Sequence, residues 1–303
     1  MAITGTGSKD DPWVVHDLAE LRSAANMTAP TGTAGYGGYI VLDEDINCNE
    51  QCPTGWTTIR TAHEIDLNYH SILAPVINEA NSLFYNPWSS YYGLIKNGYI
   101  LNLYTNYTSS GKIFDSANVN NSGYDLENVQ LTMVGRGEAW EMRVRYTTKC
   151  IVEIKGILKC ASTLFSMGNA KLIKSRFICN YTSDAIVLPS GTGSGTGTRL
   201  IRYGSDSDIP VVDCLFEGSC TNFDINSTNP YAASAYVGRI ESTIIDVAEN
   251  GTNNLMYKTF NHCLISNRCK MLAQGSYKSG MTQDDLKSID KVTAAGFTVI
   301  EVV

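Results

Sequence analysis

"VVDCLFEGSC" spans residues 211–220 and "FNHCLISNRC" spans 260–269. Each carries a Cys, then Leu and a second apolar residue, then another Cys six positions on. Three readings compete for Cys214, Cys220, Cys263 and Cys269: metal ligands, disulfides, or places in a repeated strand. If the first stretch is extended, six residues at about 3.3 Å put Cys214 and Cys220 roughly 20 Å apart, too far for a bridge unless Gly218 turns the chain. Zinc sites normally use closer pairs such as Cys-x2-Cys. A repeated strand accounts for both stretches at once.

Other segments can be laid against Cys214. "GLIKNGYILNL" puts Asn97 in its place, "YDLENVQLTM" Asn128, "KLIKSRFICN" Ser175, "GRIESTIIDV" Ser242 and "TFNHCLISNR" Cys263. Apolar residues stand two before most of these anchors (Ile95, Leu126, Ile173, Val212, Ile240) and two after (Phe177, Phe216, Ile244, Ile265), although Gln130 breaks the pattern. Alternation of this kind is a strand with one buried face. The anchors share that parity, so Asn97, Asn128, Ser175, Cys214, Ser242 and Cys263 are expected to form an interior stack. Irregular anchor spacing fits coils of about twenty or more residues with loop insertions. "CIVEIKGILKC" at 150–160 is a candidate hidden rung. The expected fold is all-β, a parallel β-helix, with a β-sandwich as runner-up.

The ends differ from the middle. Asp17 is a candidate N-cap for a helix over 17–26. Thr282 and Asp285 open a helical pattern through Leu286, Ile289 and Val292, with Gly296 as its stop, and "FTVIEVV" reads as a last strand. Helices at both ends would cap the solenoid's open edges. The expected division is an N-terminal cap at 1–28, a β-helix with loop insertions at 29–280 and a C-terminal cap at 281–303, all one domain.

The chain is 43% hydrophobic and 17% charged, with net charge −7, which argues against a nucleic-acid surface. No run of eighteen apolar residues exists to span a membrane. The opening "MAITGTGSKDDP" does not read as a secretory leader, so the nine Cys are expected as thiols, and the six Asn-x-Ser/Thr sites as by-products of an Asn- and Thr-rich surface. Cys48 and Cys52 keep the best remaining claim to a bridge.

No cofactor or metal motif stands out. The four His are scattered, and "GTGSGTGTR" at 191–199 lacks the Lys-Ser/Thr of a phosphate-binding loop. Candidate acids are Asp43, Glu44, Asp45, Asp206, Asp208, Asp213, Glu217, Glu241 and Asp246. Asp213 and Glu241 each precede an anchor, so both should face outward on neighbouring rungs about 5 Å apart. That is either a catalytic pair or part of a solvated face of mixed charge shared with Lys174 and Glu127. Tyr85, Trp88, Tyr91 and Tyr92 crowd into a presumed loop, as a glycan or protein contact or as a lid folded onto the core.

The stretch "ITGTGSKDDPWVVHDLAELRSAAN…GYIVLDEDIN" and the ending "MTQDDLKSIDKVTAAGFTVIEV" resemble the two ends of β-helical proteins encoded by tailed bacteriophages. The resemblance implies a right-handed, pectate-lyase-like β-helix on the virion: a head fibre, capsid decoration or tail adhesin. It implies a homo-oligomer, a trimer by preference, that contacts other virion proteins and a host glycan. A phage depolymerase using Asp213 and Glu241 is the alternative, and a bacterial surface adhesin a third reading.

Overall fold

A computed structural model describes residues 2–28, 37–51, 58–74, 76–77, 82–88, 90–107, 112–117, 122–137, 141–159, 163–165, 171–184, 198–201, 211–220, 223–224, 239–249, 255–269 and 271–297. These residues are mostly strand, in one large sheet of 18 strands and a second of seven. Every pairing between named strands is parallel. Each strand pairs with its equivalent one coil later, the arrangement of an all-β parallel solenoid.

A coil runs in three steps. A short strand leads to a one-residue corner, a longer strand follows, and a third strand joins the smaller sheet. The corner is left-handed: Asn97, Asn128, Lys149, Lys174, Asp213, Ser242 and His262 all have φ between +47° and +56°. Strand register on both sides places these residues above one another. Asn and Asp tolerate this conformation better than most side chains. The candidate hidden rung is present as the strand Ile151–Lys159.

The corner also restarts the strand's alternation. Val211 and Cys214 face inward with Phe216, whereas Val212 and Leu215 face outward. Alternation read straight through the corner therefore places Val212 and Ile173 inside, and the structure places them outside. The mismatch of Gln130 has the same origin, because it lies two residues after the corner Asn128 and faces outward. Likewise "EIDLNYHSI" is two strands, Glu64–Asp66 and Ser71–Leu73, separated by left-handed Asn68 and Tyr69.

Inward residues stack rung on rung. Ile40, Ile65, Ile95 and Leu126 form one column, and Val152, Phe177, Phe216 and Ile245 another. Phe177 and Phe216 stack at 4.9 Å between centroids, and Phe84 and Phe114 of the smaller sheet at 5.6 Å. Such offset ring pairs add about 0.5–1.5 kcal/mol beyond their burial.

Helix α1 (Leu18–Asn26) starts at Asp17, whose carboxylate accepts from Glu20 N, and buries Leu18, Leu21, Ala24 and Ala25. Helix α2 is the single turn Cys48–Gln51. The C-terminal helix expected as one element is two: α3 (Gln283–Lys287) and α4 (Ile289–Ala294). Ser288 divides them because its hydroxyl caps α4 by accepting from Lys291 N. Thr282 and Asp285 form the capping box of α3. The apolar stripe is barely used: Val292 is buried, but Ile289 is 62% exposed. The expected strand after Phe297 lies outside the described residues, as do Cys52, Asp206, Asp208 and the glycine-rich run up to 197.

Candidate functional site

The six expected stack residues fall into two adjoining columns. Asn97, Asn128 and Ser242 occupy the left-handed corner, while Ser175, Cys214 and Cys263 occupy the position just after it. Cys150 and Thr243 also stand in the second column, as Gly98 and Val129 do in earlier coils. The segments holding Asn97, Asn128 and Ser242 are thus one residue out of register with those holding Ser175, Cys214 and Cys263.

Each column has its own bonding. At the corner, Asn128 Nδ2 donates to Asn97 Oδ1 at 3.1 Å, and Asn97 Nδ2 donates to Asp66 Oδ1 at 3.1 Å. Inside, a small donor closes the corner. The Cys150 and Cys214 thiols and the Ser175 hydroxyl each donate to the carbonyl two residues back and to one in the preceding rung. Burial pushes the Cys150 and Cys214 thiols up to about 12, so they stay protonated and serve as donors. These cysteines fill an architectural position. Cys48 is buried in α2.

The two candidate catalytic acids do not share a column. Asp213 is in register with Lys174 and Ser242, whereas Glu241 is in register with Val212 and Asn261. Other outward acids are engaged: Glu217 accepts from Arg176 Nε at 2.7 Å, and Asp246 lies 3.4 Å from Arg268 Nε. Near the N-terminal end, Asp45 accepts from Ser71 N, which holds its carboxyl below the usual range. His16 lies between Glu20 and Asp43. Among the described residues, no group of three or more His, Cys, Asp and Glu is placed to hold a metal ion.

The aromatic run is not a free loop. Phe84–Asn86 is a strand of the smaller sheet, with Phe84 buried and Tyr85 half-buried. Asn86 is fully buried, donates to the carbonyls of Tyr91 and Gly123, and accepts from Trp88 N. It thereby fixes the turn that carries Trp88 back to the large sheet. Tyr91 places its hydroxyl against His63 Nδ1, and burial raises that phenol well above its ordinary value. Tyr39 packs on the other side of His63 at 4.7 Å.

Tyr92 lies under the Arg145 guanidinium at 3.9 Å, and Tyr146 lies against it at 4.4 Å. Arg145 also forks onto Asp125, donating from Nε at 2.9 Å. Burial works against its charge, but Asp125 outweighs it and raises the guanidinium's pKa. Alongside, Lys96 pairs with Glu64 at 2.7 Å and Asp66 at 3.3 Å. Tyr39, His63, Tyr91, Tyr92, Arg145 and Tyr146 thus form one outward face over successive coils, about 19 Å long at ~4.8 Å per rung. Tyr91 and Tyr92 were legible as candidates. His63, Arg145 and Asp125 were not, because only coil register brings them alongside.

No family model matches the chain, and neither the curated proteins nor the solved structures give a match. Among the described residues, no helix is long and apolar enough to cross a membrane.

Proposed function

We propose that the chain is a non-enzymatic structural protein on the surface of a tailed-bacteriophage virion, as a head fibre, capsid decoration or tail adhesin. In this reading the solenoid is a right-handed single-stranded β-helix, with α1 closing one end and α3 and α4 the other. The observation that carries it is the outward face at Tyr91, Tyr92 and Arg145. Its rings and charges are locked across coils by the Tyr91–His63 hydrogen bond, the Arg145–Asp125 pair and the stacking of Arg145 on Tyr92 and Tyr146, so it presents a stiff surface. Ordering such a surface costs little on binding, which suits recognition of another virion protein or a host glycan. The depolymerase alternative would use Asp213 and Glu241, which lie on adjoining rungs one residue out of register.

The test has two arms. Immunogold labelling of purified virions should decorate the particle. Binding of the purified protein to virion proteins and host-surface glycans should fall at least tenfold in Arg145→Ala, with no release of oligosaccharides. Absence from purified particles, or polysaccharide cleavage by the wild type, overturns the reading.

A further inference from the structure

The solenoid's last described strand, Met271–Met281, is paired along one edge. It runs in register with Leu255–Ser266, and among the described residues no strand pairs with its other edge. Such an edge presents a row of N–H and C=O groups that folded proteins pair or cover. The first strand shows how this chain treats the same problem. Trp13–Val15 pairs with Tyr39–Leu42 on one side. On the other side the stretch before it folds back antiparallel, and Val14 N donates to Thr4 O at 3.0 Å.

The C-terminal segment is carried towards the open edge. Met281 O accepts from Asn267 N at 2.9 Å, and α3 begins two residues later. α3 packs on Ile244–Glu249 and Leu255–Ser266, on the outer side of the last coils. The chain then returns to the corner, where His262 Nε2 donates to Ala295 O at 2.8 Å. The His262 ring also stacks on Phe297, 4.8 Å between centroids. Gly296 permits this approach, because its φ is +88° and a Cβ there would lie 3.2 Å from His262 Nε2. His262 stands opposite the step from Ser276 to Tyr277, since Asn261 is in register with Ser276 and Cys263 with Tyr277. Phe297 is therefore held one rung from the middle of the open strand.

Residues 298–303, "TVIEVV", follow Phe297. Four of the six are Val or Ile, which favour strands. From Met281 to the corner the chain has travelled against the direction of the last strand, and the same course continued passes along 276 to 271. Extended, 298–303 spans about 20 Å, the length of that arm. We propose that the open edge of Met271–Met281 is the docking site of residues 298–303, which pair antiparallel with 271–276 and close the sheet. The proposal rests on the fold alone and stands apart from the virion reading.

The experiment is amide hydrogen exchange on the full chain and on a chain ending at Phe297, which keeps α3, α4 and the His262 stack. In the full chain the 271–276 amides should be protected. In the shortened chain those not bonded to Leu255–Ser266 should exchange at least about tenfold faster, with Ile151–Lys159 unchanged. Proline removes an N–H without shortening the tail, and alternate N–H groups of a strand point to opposite sides. At least one of Ile300→Pro and Glu301→Pro should therefore reproduce the truncation, and these variants carry the test should the shortened chain fail to fold. Fast exchange of 271–276 in the full chain, or equal protection in every variant, overturns the proposal. So does protection that appears only with a two-chain mass in sedimentation velocity, which would assign the edge to a second copy.

Discussion

Ser175 offers the sharpest test of the interior corner column. Its hydroxyl donates to Ile173 O at 2.8 Å and Thr147 O at 3.3 Å, and accepts from Cys150 N at 3.1 Å. The Ser175 and Cys150 side chains are buried. Ser175→Ala removes all three contacts, but the consequences differ. Ile173 O keeps Lys149 N as a donor, whereas Cys150 N–H loses the hydroxyl that accepts it. An orphaned buried donor costs about 1–3 kcal/mol, so the expected loss is about 2 kcal/mol. That corresponds to a fall of about 4 °C in Tm for a chain of this size, and to about 30-fold faster exchange of the Cys150 amide where local opening dominates. Ser175→Cys restores a small donor and acceptor of the kind the column uses at Cys150, Cys214 and Cys263, and should cost less than about 1 kcal/mol. Urea unfolding and amide exchange on the peptide containing Cys150 measure both variants. If Cys is as damaging as Ala, or Ala is neutral, the column selects for volume alone and the hydrogen-bond account fails.

Phe216→Ala removes a fully buried ring stacked on Phe177 and should lower stability by about 3–5 kcal/mol, read from the urea midpoint. Gly218→Ala should cost at least about 2 kcal/mol in thermal unfolding, because φ is +119° and an added Cβ would sit 2.4 Å from Cys179 O. Cys150 and Cys214 should resist an aromatic disulfide reagent at pH 8 in the native protein and react once it is unfolded, since burial raises both thiols to about 12. The Lys291 ion pair, with the Thr282 hydrogen bonds, lowers Asp285 to about 2. Its contribution is therefore complete above the ordinary Asp range and fades as pH falls towards 2, and Asp285→Asn should abolish that pH dependence in α3–α4 exchange.

The sequence by itself determined that this chain is a stack of short strands. Apolar alternation, recurring small anchors and the hidden rung at Ile151–Lys159 are local properties, set by strand geometry and readable without knowing which coil lies above which. The caps at Asp17 and Thr282 were legible for the same reason, since each is a bond within one helical turn. Tertiary structure decided the register. A left-handed residue reverses the alternation, so residues that look equivalent along the chain, such as Ser242 and Cys214, belong to different columns. That single-residue shift sets Glu241 opposite Val212 rather than Asp213, moves Val212 and Ile173 to the outside, and brings Lys174 beside Asp213. The site around Arg145 depended on register as well. Its partners Tyr92 and Asp125 lie 53 and 20 residues earlier in the chain, and only the stacking of coils, fixed by backbone hydrogen bonds between rungs, brings them into contact.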